Sequence, residues 1–272
     1  MQSDTATTPL EKETLLAQVA QSRARILELA QDGRLNSERL SELANTEANL
    51  ALALRIGPLP EDPREQFLAA YAFTRPYLER LTQHDPAHLV VADETHSYTP
   101  RTILRRVLDH ALDHLNQIDQ WLVWQQQGIV PTPTDGWASS DDTMPEDFQP
   151  LSPKELQTWL WRIDLSLGMV AQRAGQLSDQ QLDWTPPDGG WTLRYMLRHL
   201  AFAGAYYAIW LDEPLPDSAR ERYQEANARF ERQLRQLFTS SAQPGALFLL
   251  SDMLLTAGQI VQQVLTEEQA LA

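Results

Sequence analysis

Residues 99–127 read TPRTILRRVLDHALDHLNQIDQWLVWQQQ. Thr99 offers a hydroxyl cap, Pro100 suits a first helical position that needs no backbone N–H, and Gly128 supplies a stop. The stretch is therefore predicted to form one long helix. Ile103, Val107, His110, His114, Ile118 and Trp121 recur at the 4-3-4-4-3 spacing of a face turned toward a core. His110 and His114 are four residues apart, so their rings project from that face one turn from each other. Two imidazoles on an inward stripe are costly unless they are hydrogen-bonded or bound to a metal. This pair is the leading functional feature of the chain.

Outward from this helix, the pattern is helical in both directions. Segments are predicted from Lys12 to Gln31, from Ser37 to the Gly57-Pro58 stop, and from Asp62-Pro63 through Leu81 with a disturbance at Pro76. Glu47 falls where the stripe of the second segment calls for an apolar residue. After residue 128 come Pro131, Pro133, Pro145 and Pro150 among Ser, Thr and Asp, which predicts a solvated linker. Ser152-Pro153-Lys154-Glu155 then opens a new helix, with Leu156, Leu160, Ile163, Leu167, Val170, Ala174 and Leu177 as its seam. Further segments are expected at Trp191–Leu211, Ser218–Phe238 and Ala246–Leu265. The expected fold is all-α, with two four-helix up-down bundles in tandem, packed as a pseudo-dimer. The bundles would span residues 10–128 and 151–268, with the linker at 129–150.

Composition narrows the function. The net charge of −15 and the lack of any Lys/Arg cluster argue against a nucleic-acid partner and an anionic membrane surface. The chain has no cysteine, so thiolate metal sites and a protein thiol nucleophile are excluded, and any thiol chemistry needs a small-molecule thiol. The first residues, MQSDTATTPLEKE, lack an apolar run, and no membrane span is expected, which points to a cytoplasmic protein.

The two halves show a faint internal repeat. Residues 113–118 parallel 255–260, which sets His114 against Thr256 and His110 against Asp252. Matching Leu43-Ala44 with Leu200-Ala201 sets Glu42 against His199. Tyr206 and Tyr207 join Asp252 and Thr256 as a second polar set. His84, His88 and His96 share no helical register and read as exposed loop histidines.

Residues 184–201, WTPPDGGWTLRYMLRHLA, resemble the loop and second helix of the DinB/YfiT-like family, in which tryptophan precedes a metal-ligand histidine. Residues 110–118, HALDHLNQI, resemble its last helix. The resemblance implies four-helix bundles with three metal ligands, one on the second helix and two on the last. Here those signatures fall in different halves, and neither half holds a complete set.

Several readings of the site follow. His110 and His114 are expected as ligands of a divalent metal (Zn, Ni or Fe), with Glu47 as the third and Glu42 or His199 as alternatives. His199 would serve if the halves exchange helices to build a composite site. The resemblance then implies a metal-dependent transferase or isomerase using a small-molecule thiol. The alternative is a metal-free scaffold with a degenerate site that binds an apolar ligand or another protein. Either form could be a monomer with an internal pseudo-dimer, or a homodimer.

Overall fold

The computed structural model describes residues 9–56, 62–91, 97–131 and 142–239. Along the chain, α1 is Pro9–Gln31, α2 Ser37–Ile56, α3 Pro63–Leu78, α4 Pro100–Gln127, α5 Pro153–Ala174, α6 Asp179–Leu182, α7 Leu193–Asp212 and α8 Ala219–Thr239. The strands β1 (Val90–Val91) and β2 (Ser97–Tyr98) form a single antiparallel pair, with Val90 opposite Tyr98. The described residues are thus mostly helical, with almost no strand. The segment expected at Ala246–Leu265 lies outside the described residues.

Local chemistry explains the helix ends. The Thr99 side chain accepts from the Thr102 backbone N–H, Pro100 opens α4, and Gly128 closes it at φ 69°, a left-handed conformation glycine adopts without steric cost. Ser152 and Glu155 form a reciprocal capping box at the start of α5. Pro76 sits in the last turn of α3, and a 3-10 turn at Leu81–Gln83 follows the helix.

The helices group into two units, and the division does not follow the linker. Unit one combines Met1–Leu59 with Leu215–Ala272, while unit two is the continuous stretch Pro60–Pro214. The expected boundaries at 128 and 151 therefore cut through the middle of unit two. The physical reason is which apolar faces meet. In unit two, α4 packs against both α5 and α7, and α3 packs against α7 and α5, closing a ring of four helices. The α5 seam supplies Leu156, Leu160, Ile163, Leu167, Val170 and Ala174 to that core, as its spacing predicts. Each fully buried Leu or Ile there contributes about 2 kcal/mol. In unit one, α8 packs along α2 and against α1.

The end of the predicted linker is not a solvated connector. Asp147 is 4% exposed and pairs with Arg105 at 2.6 Å, and it also accepts from the Met144 backbone N–H. The Thr99 hydroxyl donates to the Asp147 carbonyl, and Arg105 reaches the Asp142 carbonyl. This stretch is fastened to the first two turns of α4. Asp147→Ala removes the buried ion pair with Arg105 and the acceptor for the Met144 N–H, so a loss of roughly 2 kcal/mol is expected in urea unfolding. Trp137 and Asp135 lie outside the described residues.

Unit one contains a polar cluster. From α1, Arg23 donates to Asn227 at 3.0 Å and to Glu231 at 2.9 Å, both on α8. Tyr223 on α8 donates its hydroxyl to Glu47 Oε1 on α2 at 3.1 Å, while Glu47 Oε2 is buried with no hydrogen-bond partner. Burial, opposed by Asn227, Tyr223 and Arg23, pushes the Glu47 carboxyl up to about 7. Asn227 favours the charged carboxylate, yet its Nδ2 makes no well-formed hydrogen bond.

Candidate metal centre

His110 and His114 sit on the inner face of α4, 8% and 5% exposed, where the stripe predicted them. The packing of α7 against α4 brings His199 to them. His110 Nε2 lies 3.0 Å from His199 Nε2 and 3.2 Å from His114 Nε2, and the three rings meet edge to face. Two nitrogens bound tetrahedrally at ~2.0 Å stand about 3.3 Å apart, so the spacing suits one small cation.

The hydrogen-bond arithmetic points the same way. His114 Nδ1 lies 2.7 Å from Gln117 Oε1, an acceptor, so Nδ1 carries the proton and Nε2 presents a lone pair. Both close N···N contacts converge on His110 Nε2. That atom carries either a proton or a lone pair, never both, so it cannot donate to one neighbour and accept from the other. A cation satisfies three lone pairs at once.

Electrostatics keep the rings neutral, the form that ligates. Burial, with the neighbouring His114, His199 and Arg106, holds His110 far below the usual histidine range. Burial and Arg106 lower His114 against the pull of Gln117, and burial with His114 and Arg106 takes His199 down to about 4.

Neighbouring aromatic residues position the histidines. Trp191 packs on the His199 ring at 4.9 Å, and Trp121 Nε1 on α4 donates to the Trp191 carbonyl at 2.8 Å. Thr192 caps α7 one residue later, fixing the helix start relative to that tryptophan. Arg106 donates to the Tyr207 hydroxyl at 3.3 Å, and Tyr207 stands edge-on to Tyr98. Tyr207 thus belongs to unit two, and Asp252, with which the sequence groups it, lies outside the described residues.

Residues 162–269 match the family model described as DinB superfamily. Over that span the chain is DinB-like. No curated protein and no solved structure matches it. The DinB-like span crosses from unit two into unit one at residue 215 and includes α7, which carries His199, whereas α4, which carries His110 and His114, lies before it.

His110, His114 and His199 come together in unit two, and they form the one such group of potential metal ligands among the described residues. Glu47, first choice as the third ligand, belongs to unit one and is held by Tyr223. The Glu42 side chain, His96, Asp252 and Thr256 lie outside the described residues. His88 is exposed and His84 half-buried in the connection after α3, apart from the triad. Gln117 was quoted only as part of a motif, although its place three residues beyond His114 already put it within reach of that ring.

Proposed function

We propose that His110, His114 and His199 hold a divalent metal ion and that the protein is a metal-dependent enzyme acting through a small-molecule thiol. The observation that carries this reading is the convergence of three Nε2 atoms, with the His114 lone pair aimed inward by Gln117. Three imidazoles are a ligand set suited to zinc, nickel or iron, and three protein ligands are what catalytic centres use while keeping a position open. When bound, such an ion lowers the pKa of a coordinated thiol or water and so supplies a nucleophile at neutral pH.

The chain's own residues supply the setting. The three rings stay neutral and available, Gln117 fixes one tautomer, and Trp191 backs His199. The Arg106 guanidinium adds a positive field that disfavours protonation of the rings and favours an anion beside them. With no cysteine in the chain, the sulfur has to come from a diffusible thiol, which stays reduced in a cytoplasmic setting. The grouping of α3 and α4 with α5 and α7 also supports a fused pair of DinB-like halves that have exchanged helices.

Elemental analysis of untagged protein tests the metal centre. One equivalent of divalent metal, with a thiolate charge-transfer band when Co2+-loaded protein meets a thiol, is the expected result. No metal after incubation with Zn2+ and Ni2+ would leave the metal-free scaffold reading in its place. Gln117→Leu frees the His114 Nδ1 proton and the ring with it, so metal affinity should fall roughly 10–100-fold in a chelator competition titration.

A further inference from the structure

Beside His110 the inner faces of α3, α4, α5 and α7 line a cavity of about 20 Å³, with Phe67, Tyr71, Thr74, Leu167, Leu200 and Gly204 in its walls. Val107 and the His110 ring complete it, so one wall is shared with the metal centre. We propose that this cavity is a subsite for a short aliphatic arm, one or two carbons long, on the ligand that binds at the metal centre, and that Gly204 sets its depth. The proposal rests on the metal reading above.

The walls decide the chemistry. Their two hydroxyls are already engaged, Tyr71 donating to Asp164 at 2.5 Å and Thr74 to the Ala70 carbonyl at 2.9 Å. A polar group entering the cavity would leave its water partners for walls that are mostly apolar, with Phe67, Val107, Leu167 and Leu200 facing it. An apolar group gains about fourfold in affinity per buried methylene. The volume only slightly exceeds the ~10–15 Å³ that a single water requires, which leaves room for one or two carbons and no more.

Gly204 is not explained by backbone geometry or by close packing. It lies inside α7, where glycine is a poor helix former, and it is not among the glycines with positive φ. A Cβ built there would meet only Val107 Cγ1, at an ordinary 3.9 Å. Alanine would therefore fit without strain. What the missing side chain provides is space in the cavity.

The experiment uses the Co2+-loaded full chain, titrated with straight-chain thiols from methanethiol to pentanethiol and read by the thiolate charge-transfer band. In the wild type, Kd should fall about fourfold from methanethiol to ethanethiol and then level off. Gly204→Val, checked for folding by circular dichroism, should keep one equivalent of Co2+ and the methanethiol affinity but lose the chain-length gradient. Gly204→Ala should shorten the optimum by about one carbon. A flat wild-type series, a gradient that continues through pentanethiol, or an unchanged gradient in Gly204→Val would each overturn the subsite. The Co2+ spectrum before any thiol is added reports on the metal centre alone. If no Co2+ binds, that reading fails separately, and 129Xe NMR of the metal-free protein decides the cavity: uptake lost in Gly204→Val supports it, and no uptake by the wild type refutes it.

Discussion

The His199→Ala protein is expected to bind Zn2+ at least roughly a hundredfold more weakly than the wild type, beyond what loss of an outer partner costs. Removing His199 leaves two imidazoles on one face of α4, with no third nitrogen to close the set. It also takes away the ring on which Trp191 packs, so His199→Gln, which keeps more of that contact, serves as the folding control. Glu47→Ala should leave metal stoichiometry unchanged, because the ligand group is His110, His114 and His199 and the Glu47 carboxyl is bonded by Tyr223. Competition with a chromophoric chelator measures all three variants. Retention of metal by His199→Ala together with its loss in Glu47→Ala would return the site to the first half of the chain.

The second large effect is expected at Glu47. Its carboxyl is raised by burial from 4.5 to about 7, so the folded state holds a proton over a range in which the unfolded chain has released it. Stability from this group is therefore fully present below pH ~4.5 and is lost as pH rises through 7. At one pKa unit per 1.36 kcal/mol, the loss reaches at most about 3 kcal/mol. Glu47→Gln keeps an acceptor for the Tyr223 hydroxyl and removes the charge that costs stability at high pH. At pH 8 this variant should be the more stable by up to that amount, and the two proteins should converge below pH 4. Urea midpoints measured from pH 4 to 8 check this. A wild-type curve parallel to that of the variant would show that Glu47 is ionised in the folded protein.

These two residues also show how far the sequence could be read. Both ends of α4 and the start of α5 were legible because Thr99, Pro100, Gly128, Ser152 and Glu155 act on backbone groups only a few residues away. The inward direction of His110 and His114 was legible for the same reason, from helical spacing. What joins His199 to them is the packing of α7 on α4 across 89 residues, and no local pattern specifies which apolar face meets which. Glu47 illustrates the converse. A carboxyl on an apolar stripe suits a metal ligand or a neutral buried acid equally well. The group that distinguishes them, Tyr223, is 176 residues away. Asp147 read as part of an acidic linker because the sequence alone does not reveal its pairing with Arg105.

The discontinuity of unit one bears on how the chain is made. Synthesis proceeds from the N-terminus, so α1 and α2 emerge first, yet their partner α8 begins only at Ala219. Until then their apolar faces, with Leu29, Leu40 and Leu43, have no α8 to cover them. Unit two, continuous from Pro60 to Pro214, has all its helices in hand earlier and can close while the ribosome is still adding α8. Its closure also turns a long flexible loop into a folded insert, which lowers the entropy that the two ends must give up to meet. The histidine centre should therefore form before the protein is finished, while the first two helices remain the segment most in need of a chaperone.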